Sequence, residues 1–405
     1  MPQQRILEAT RGAILARQSD GLPLLLETSR STDKAVFGLG LRTARELRGR
    51  AVTEALAAEL GKINPNRQGP LLLALSDRDD AAVLPAVIAT ARSGSKNLRL
   101  LAIEVMARLG NIACVPVLLD LLAESDAELA QAAKAPLAAL PGKEVDKQLT
   151  VRLPQVTGNT RRLLLELAGQ RHVAGAMPEL IKASNDTDPA IRAAGIKALG
   201  ETAGTADLGV LTDLLAKAKS ANEVSAVEAA LESACTRIPD KAASADKLLA
   251  CLASSATPAK SALLRVLGVV NTATALDAVR SALASQESSV RDTAVRVLAD
   301  WPESPALPAL LDIFRTTGDE SHRFLALRGC VRLLDLGGQP IQDTVKTYGE
   351  LMARTQRTDD RKAILSGLAN VADPAALKLV EPLLADAQLQ AEAEQATLKI
   401  AAAIM

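Results

Sequence analysis

Apolar and small residues recur along this chain in one register. The stretches "KNLRLLAIEVMARLG" (96–110), "DPAIRAAGIKALGE" (188–201) and "SSVRDTAVRVLADW" (288–301) share it. Each sets an apolar residue before an arginine, then small or apolar residues three, four and seven positions later. A helix advances about 100° per residue, so these positions form one stripe centred roughly 30° from the arginine. The arginine sits on the rim of that stripe. Its stem can lie on the core while the guanidinium reaches a turn. The fifth position after it falls at roughly 140°, on the solvent side.

The register repeats. Arg99, Arg161, Arg192, Lys260, Arg291, Arg323 and Arg361 fall into line, most of them about 31 residues or twice that apart. The step from 192 to 260 and the last step are longer. Ala130 and Val227 fill missing rungs without a charge. A turn and a second apolar segment follow each such helix, as in "CVPVLLDLLAESD", "LGVLTDLLAKAKS" and "ALPALLDIFRTTGDE". Asp188 before Pro189 reads as a helix cap followed by the favoured first residue. Gly110 and Gly200 read as helix stops. The pattern predicts an all-α chain, a right-handed α-solenoid of about twelve stacked helix-turn-helix units. It is read as one solenoid over 1–405, weaker over 1–95, clearest over 96–320 and continuing over 321–405. One helix row is expected on the concave side and the other on the convex side.

Composition fits close-packed helices. Of 405 residues 48% are hydrophobic, yet only Phe37, Phe314, Phe324, Trp301 and Tyr348 are aromatic. Ligand pockets normally lean on aromatic side chains, and strands on β-branched and aromatic runs. Lysine plus arginine and aspartate plus glutamate both total 47, so no net positive field points to nucleic acid. Cys114, Cys235, Cys251 and Cys330 form no CxxC pair and read as buried thiols. Charges interrupt every apolar run of the first twenty residues, so no signal-peptide core is present. No stretch reaches the length of a membrane span.

Catalytic chemistry finds little to stand on. His172 and His322 lie far apart, without HExxH, paired cysteines or an acidic loop. No phosphate-binding glycine motif occurs, and "DLGGQP" (335–340) reads as a turn. No enzyme activity, metal or cofactor is expected. Trp301 and Tyr348 read as residues covering neighbouring repeats rather than as anchors for a partner.

The exposed fifth position carries more information. It reads Glu104, Ala135, Glu166 and Lys197, then Glu232, then Arg265, Arg296 and Arg328 on three consecutive units, then Ser366. Stacked helices lie about 10 Å apart, so the three arginines form a ladder suited to carboxylates, sulfates or phosphates. A second basic group, Arg42, Arg45 and Arg48, recurs every third residue on one helix side. Residues 1–50 hold nine basic and five acidic side chains. These six arginines are the candidate partner-binding residues.

The rows "(I/V)R..A(I/V)..L" and "(V/L)P.LL..L" resemble HEAT repeats, most clearly at 96–126, 188–215 and 288–315. Near the end, "SHRFLALRGCVRLL" and "DDRKAILSGLANVADPAALKLVEPLL" resemble HEAT segments of large multidomain secreted proteins of planctomycete-like bacteria. The resemblance implies a scaffold portion of a larger chain, which binds a protein partner or adjacent domains and lends no catalytic residue. Both chain ends break off in apolar pattern, which fits that expectation. Extracytoplasmic placement follows from the resemblance alone; the missing signal peptide leaves the cytoplasm as the alternative. Other readings are a HEAT-like accessory protein or lyase acting on a chromophore, a nucleic-acid-binding HEAT-like protein, and a structural spacer. Neither nucleic acid nor membrane is the expected partner.

Overall fold

The computed structural model describes residues 3–405. Among the described residues there are 25 α-helices, short 3-10 segments at the ends of some of them, and no strand. They gather into two compact units, one ending at Thr202 and one beginning at Ala203.

The first unit opens with α1 (Gln3–Arg17), α2 (Leu22–Arg30), α3 (Lys34–Glu46), α4 (Arg50–Ala57), α5 (Pro65–Ser76) and α6 (Leu84–Ser93). It continues with α7 (Lys96–Leu109), α8 (Val115–Leu122), α9 (Ala127–Ala139), α10 (Lys143–Arg152), α11 (Gly158–Gln170), α12 (Met177–Ala183) and α13 (Pro189–Thr202). The second unit opens with α14 (Leu208–Lys217), α15 (Ala221–Arg237), α16 (Lys241–Leu252), α17 (Thr257–Val270), α18 (Ala273–Ala282) and α19 (Ser288–Ala299). It closes with α20 (Leu307–Thr316), α21 (Glu320–Asp335), α22 (Ile341–Arg354), α23 (Thr358–Leu368), α24 (Pro374–Val380) and α25 (Gln390–Ile404).

Within each unit the helices form two rows. Odd-numbered helices carry the repeated register and pack on the next odd-numbered helix, as α7 on α9, α11 on α13, α17 on α19 and α19 on α21. This is the repeat row. Even-numbered helices, the companion row, pack beside it. The predicted stripe is the core. On α13 Ile191, Gly195, Ile196 and Leu199 are buried, and on α19 Val290, Ala294, Val295 and Leu298 are buried. Each such leucine or valine contributes about 1.5–3 kcal/mol by leaving water. Small residues let the rows approach. A Cβ on Gly195 would lie 2.6 Å from the Ser184 amide nitrogen, and one on Gly169 would lie 2.7 Å from Ala198 Cα. Side chains there would push α12 or α11 off α13.

Helix ends follow the sequence in part. Asp188 caps α13, its Oδ1 accepting from the Ala190 amide at 2.8 Å. Gly110 lies just past α7 as expected. Gly200 is not a stop: α13 runs two residues further, and the carbonyl of Glu201 accepts from His172 Nδ1. The long step from 192 to 260 begins at α15. That helix starts six residues before Val227, whereas α13 starts three before Arg192, so it holds an extra turn.

Candidate binding surface

The repeated arginines seat where the stripe geometry places them. Arg192 Nη1 donates to the carbonyl of Asp186 at 2.7 Å, and Arg291 Nη1 to those of Ser285 and Gln286 at 2.7 and 2.9 Å. Arg323 Nη2 donates to Thr317 O at 2.7 Å, and Arg99 Nε to Ala91 O at 2.7 Å. Each guanidinium thus satisfies carbonyls left open at the end of the preceding companion helix. Arg161 and Arg361 instead reach carboxylates across the turns, Asp186 and Asp386, both at 3.3 Å. These arginines hold neighbouring helices within a unit together.

A second arginine seat was not anticipated. Arg171, its side chain 9% exposed, donates to the carbonyls of Leu137 and Ala138 at 2.9 and 3.1 Å and to Asp146 at 2.7 Å. Arg78 holds the carbonyls of Ala44 and Gly49, Arg237 that of Ala203, and Arg332 those of Ala299 and Trp301. All four follow or close a repeat-row helix and reach back 29–34 residues to the end of the one before. The signal was present as arginine at the end of the stripe, recurring in multiples of the repeat.

The fifth positions face solvent as the geometry requires. Glu104, Lys197, Arg265, Arg296, Arg328 and Ser366 are exposed, and Glu166 and Glu232 are half-buried. Their partners differ. Arg265 is held by both carboxylate oxygens of Glu228 on α15, with Nη2 to Oε2 at 2.8 Å. That bond raises the arginine further above its ordinary value. Burial and the neighbouring Glu228 push the Glu232 carboxyl up. Arg328 lies over the Phe324 ring, 5.7 Å from its centroid, and Arg357 shares that ring at 5.9 Å. Arg296 stands exposed with no bonded partner among the described residues. Asp292 and Asp300 sit four residues to either side of it, and Asp292 is bonded to His322 Nε2 at 2.8 Å. The ladder therefore holds one carboxylate-bound, one ring-bound and one open arginine.

The N-terminal cluster is corrected. Arg42 pairs with Glu8 at 3.1 Å and Arg45 with Asp77 at 2.7 Å. Arg48 does not share their helix side, because α3 ends at Glu46. There Leu47 turns extended and buries its side chain, and Gly49 at φ 118° carries the chain into α4.

The remaining candidates resolve structurally. Trp301 is 2% and Tyr348 1% exposed, so both cover neighbours. Cys114, Cys235 and Cys330 are buried, and Cys251 is half-buried. Burial pushes the Cys235 thiol up to about 11 and the Cys330 thiol up to about 12, far from nucleophile range. Among the described residues no three His, Cys, Asp or Glu side chains gather as a metal site would need. No helix among them is long and apolar enough to cross a membrane.

The model of HEAT repeats matches residues 147–232 and 245–330. These two stretches carry HEAT repeats. Two of the three clearest stretches, 188–215 and 288–315, lie inside the match; 96–126 lies outside it and forms the same kind of helix pair, α7 with α8. No curated protein matches the chain. Among solved structures it is similar to the karyopherin Kap121p bound to the SUMO protease Ulp1p, at 16% identity and a TM-score of 0.55, over 95% of this chain and 49% of that one. Kap121p bound to RanGTP gives 15% identity and a TM-score of 0.53, over 100% of this chain and 51% of that one. The chain thus spans about half the length of the karyopherins it matches, and at this identity the likeness is one of α-solenoid fold.

Proposed function

We propose that this HEAT-repeat chain is a non-catalytic scaffold. It holds a protein partner, or an adjacent domain of the same polypeptide, on the exposed face of its repeat row. The observation that supports the reading is the exposed fifth position. A fixed buried stripe presents it on helix after helix, and its side chains vary from one helix to the next. On α19 and α21 it offers Arg296, without a bonded partner, and Arg328, bound to a ring. Arg265 adds a contact only where a partner competes with Glu228. Arg42 and Arg45 are similarly engaged, and Arg48 is an exposed contact beyond α3. The mechanism is shape and distributed polar contact, with no covalent step. Kap121p, with the same type of fold, was solved with proteins bound, including Ulp1p and Pho4p. The resemblance to HEAT segments of multidomain secreted proteins favours an adjacent domain as the partner.

The test is affinity capture with the wild type beside an Arg296→Glu/Arg328→Glu variant shown by circular dichroism to be folded. The scaffold reading expects a partner held by the wild type and lost by the variant. A partner held equally by both removes these arginines from the surface.

A further inference from the structure

The first unit holds a second charged feature, away from the fifth positions. Where α2 ends and α5 begins, a cavity of 320 Å³ opens between Ser29, Arg30, Thr32, Lys62, Asn64 and Arg67. Three of its walls are cationic. Two of them, Arg30 and Lys62, share the carboxylate of Glu59, only 2% exposed. Arg30 grips that carboxylate with Nε and Nη2 at 2.6 and 2.7 Å, and Lys62 Nζ reaches it at 3.1 Å. Arg67 takes no carboxylate. Its Nη2 donates to Thr32 O at 2.6 Å, and its guanidinium lies 4.5 Å from the Phe37 ring centroid. The nearby Asp33 spends its Oδ1 on the amides of Ala35 and Val36, at 2.6 and 3.0 Å.

The donor count shows what remains open. An arginine has five N–H groups and a lysine three. Glu59 and Thr32 take two of the five Arg30 protons, one of the three on Lys62 and one of the five on Arg67, and the rest have no bonded acceptor among the described residues. Three cations against the carboxylates of Glu59 and the neighbouring Asp33 leave a formal charge of +1 at the cavity. A phosphate monoester carries about −1.5 to −2 charges near neutral pH and three strong acceptor oxygens. Buried Glu59 fixes the Arg30 fork, and the Phe37 ring and Thr32 carbonyl fix Arg67, so two guanidiniums are ordered before a ligand arrives.

We propose that this cavity is a binding site for a dianionic phosphate group, held by Arg30, Lys62 and Arg67. It is separate from the surface assigned above, and neither reading depends on the other.

Calorimetric titration of the whole chain with inorganic phosphate, O-phospho-L-serine and acetate tests it. The expected result is one-to-one binding of a phosphate ligand and much weaker binding of acetate. Lys62→Gln and Arg67→Gln should each weaken phosphate binding roughly tenfold or more, the effect of losing a charge-assisted bond. Lys143→Gln, an exposed lysine on α10, should leave it unchanged. Lys62 is itself exposed, so its variant keeps the test valid if Arg67→Gln fails to fold. Tighter inorganic phosphate indicates a free ion as the occupant; tighter phosphoserine indicates a phosphorylated side chain. No binding by the wild type, or an equal loss in Lys143→Gln, overturns the site.

Discussion

The unit ending at Thr202 and the unit beginning at Ala203 seat their arginines alike and differ in what they expose. Arg192 in the first and Arg291 in the second both donate to the turn before their own helix, at 2.7 Å in each case. Arg171 and Arg332 both reach back to the preceding repeat-row helix. The exposed position diverges. The first unit shows Glu104, Ala135, a Glu166 clasped by Lys134 and Arg162, and Lys197; the second shows Glu232, Arg265, Arg296, Arg328 and Ser366. What holds the repeats together is shared. What faces solvent is free to vary, and there the first unit carries a formal −1 (two glutamates, one lysine) and the second +2 (one glutamate, three arginines).

The largest effect should come from the deepest seat. Arg171→Ala leaves several α9-end carbonyls and Asp146 without their donor, and should cost about 3 kcal/mol. Hydrogen exchange should show the loss around α9 to α11, with α17 to α21 unchanged. Arg332→Ala removes a donor to two carbonyls and should cost about 1–2 kcal/mol, with its exchange signature confined to the second unit. An equal response of both units to either variant would break the comparison.

Acid should weaken the first unit through Glu59. Arg30, through its hydrogen bonds, holds the Glu59 carboxyl below its ordinary value. Stability from Glu59 is therefore fully present above the unfolded value of about 4.3, and is lost as pH falls through the lower folded value. Glu59→Gln should flatten that acid limb when unfolding of the first unit is followed against pH. An unchanged limb would show that Glu59 is not coupled to folding. The smallest stability effect belongs to Arg296→Gln, within about 0.5 kcal/mol in urea, because an exposed side chain without a partner holds nothing in place.

The sequence made the buried stripe legible because burial leaves few choices: Val290, Ala294, Val295 and Leu298 are where the periodicity puts them. The first arginine seat was legible for the same reason, since a charge on the rim must find a turn. Contacts between repeats were less so. The hold of Arg171 on α9 spans 33–34 residues and has no local pattern. Arg265 looked free because Glu228 lies on the preceding repeat-row helix. Arg48 and Gly200 were misplaced because helix ends depend on tertiary partners, here the burial of Leu47 and the bond from His172 to Glu201. Glu59 escaped notice because nothing local marks a glutamate as buried.

The proposed working surface is the exposed repeat-row face of the second unit. Site-specific photocrosslinking tests it most directly, with the probe placed in turn at Arg296, at Ser366 and at Lys247 on the companion helix α16. The account predicts crosslinks to a discrete partner from position 296, fewer from 366, and none from 247. Crosslinks from 247 with none from 296 would place the working surface on the companion row and contradict it.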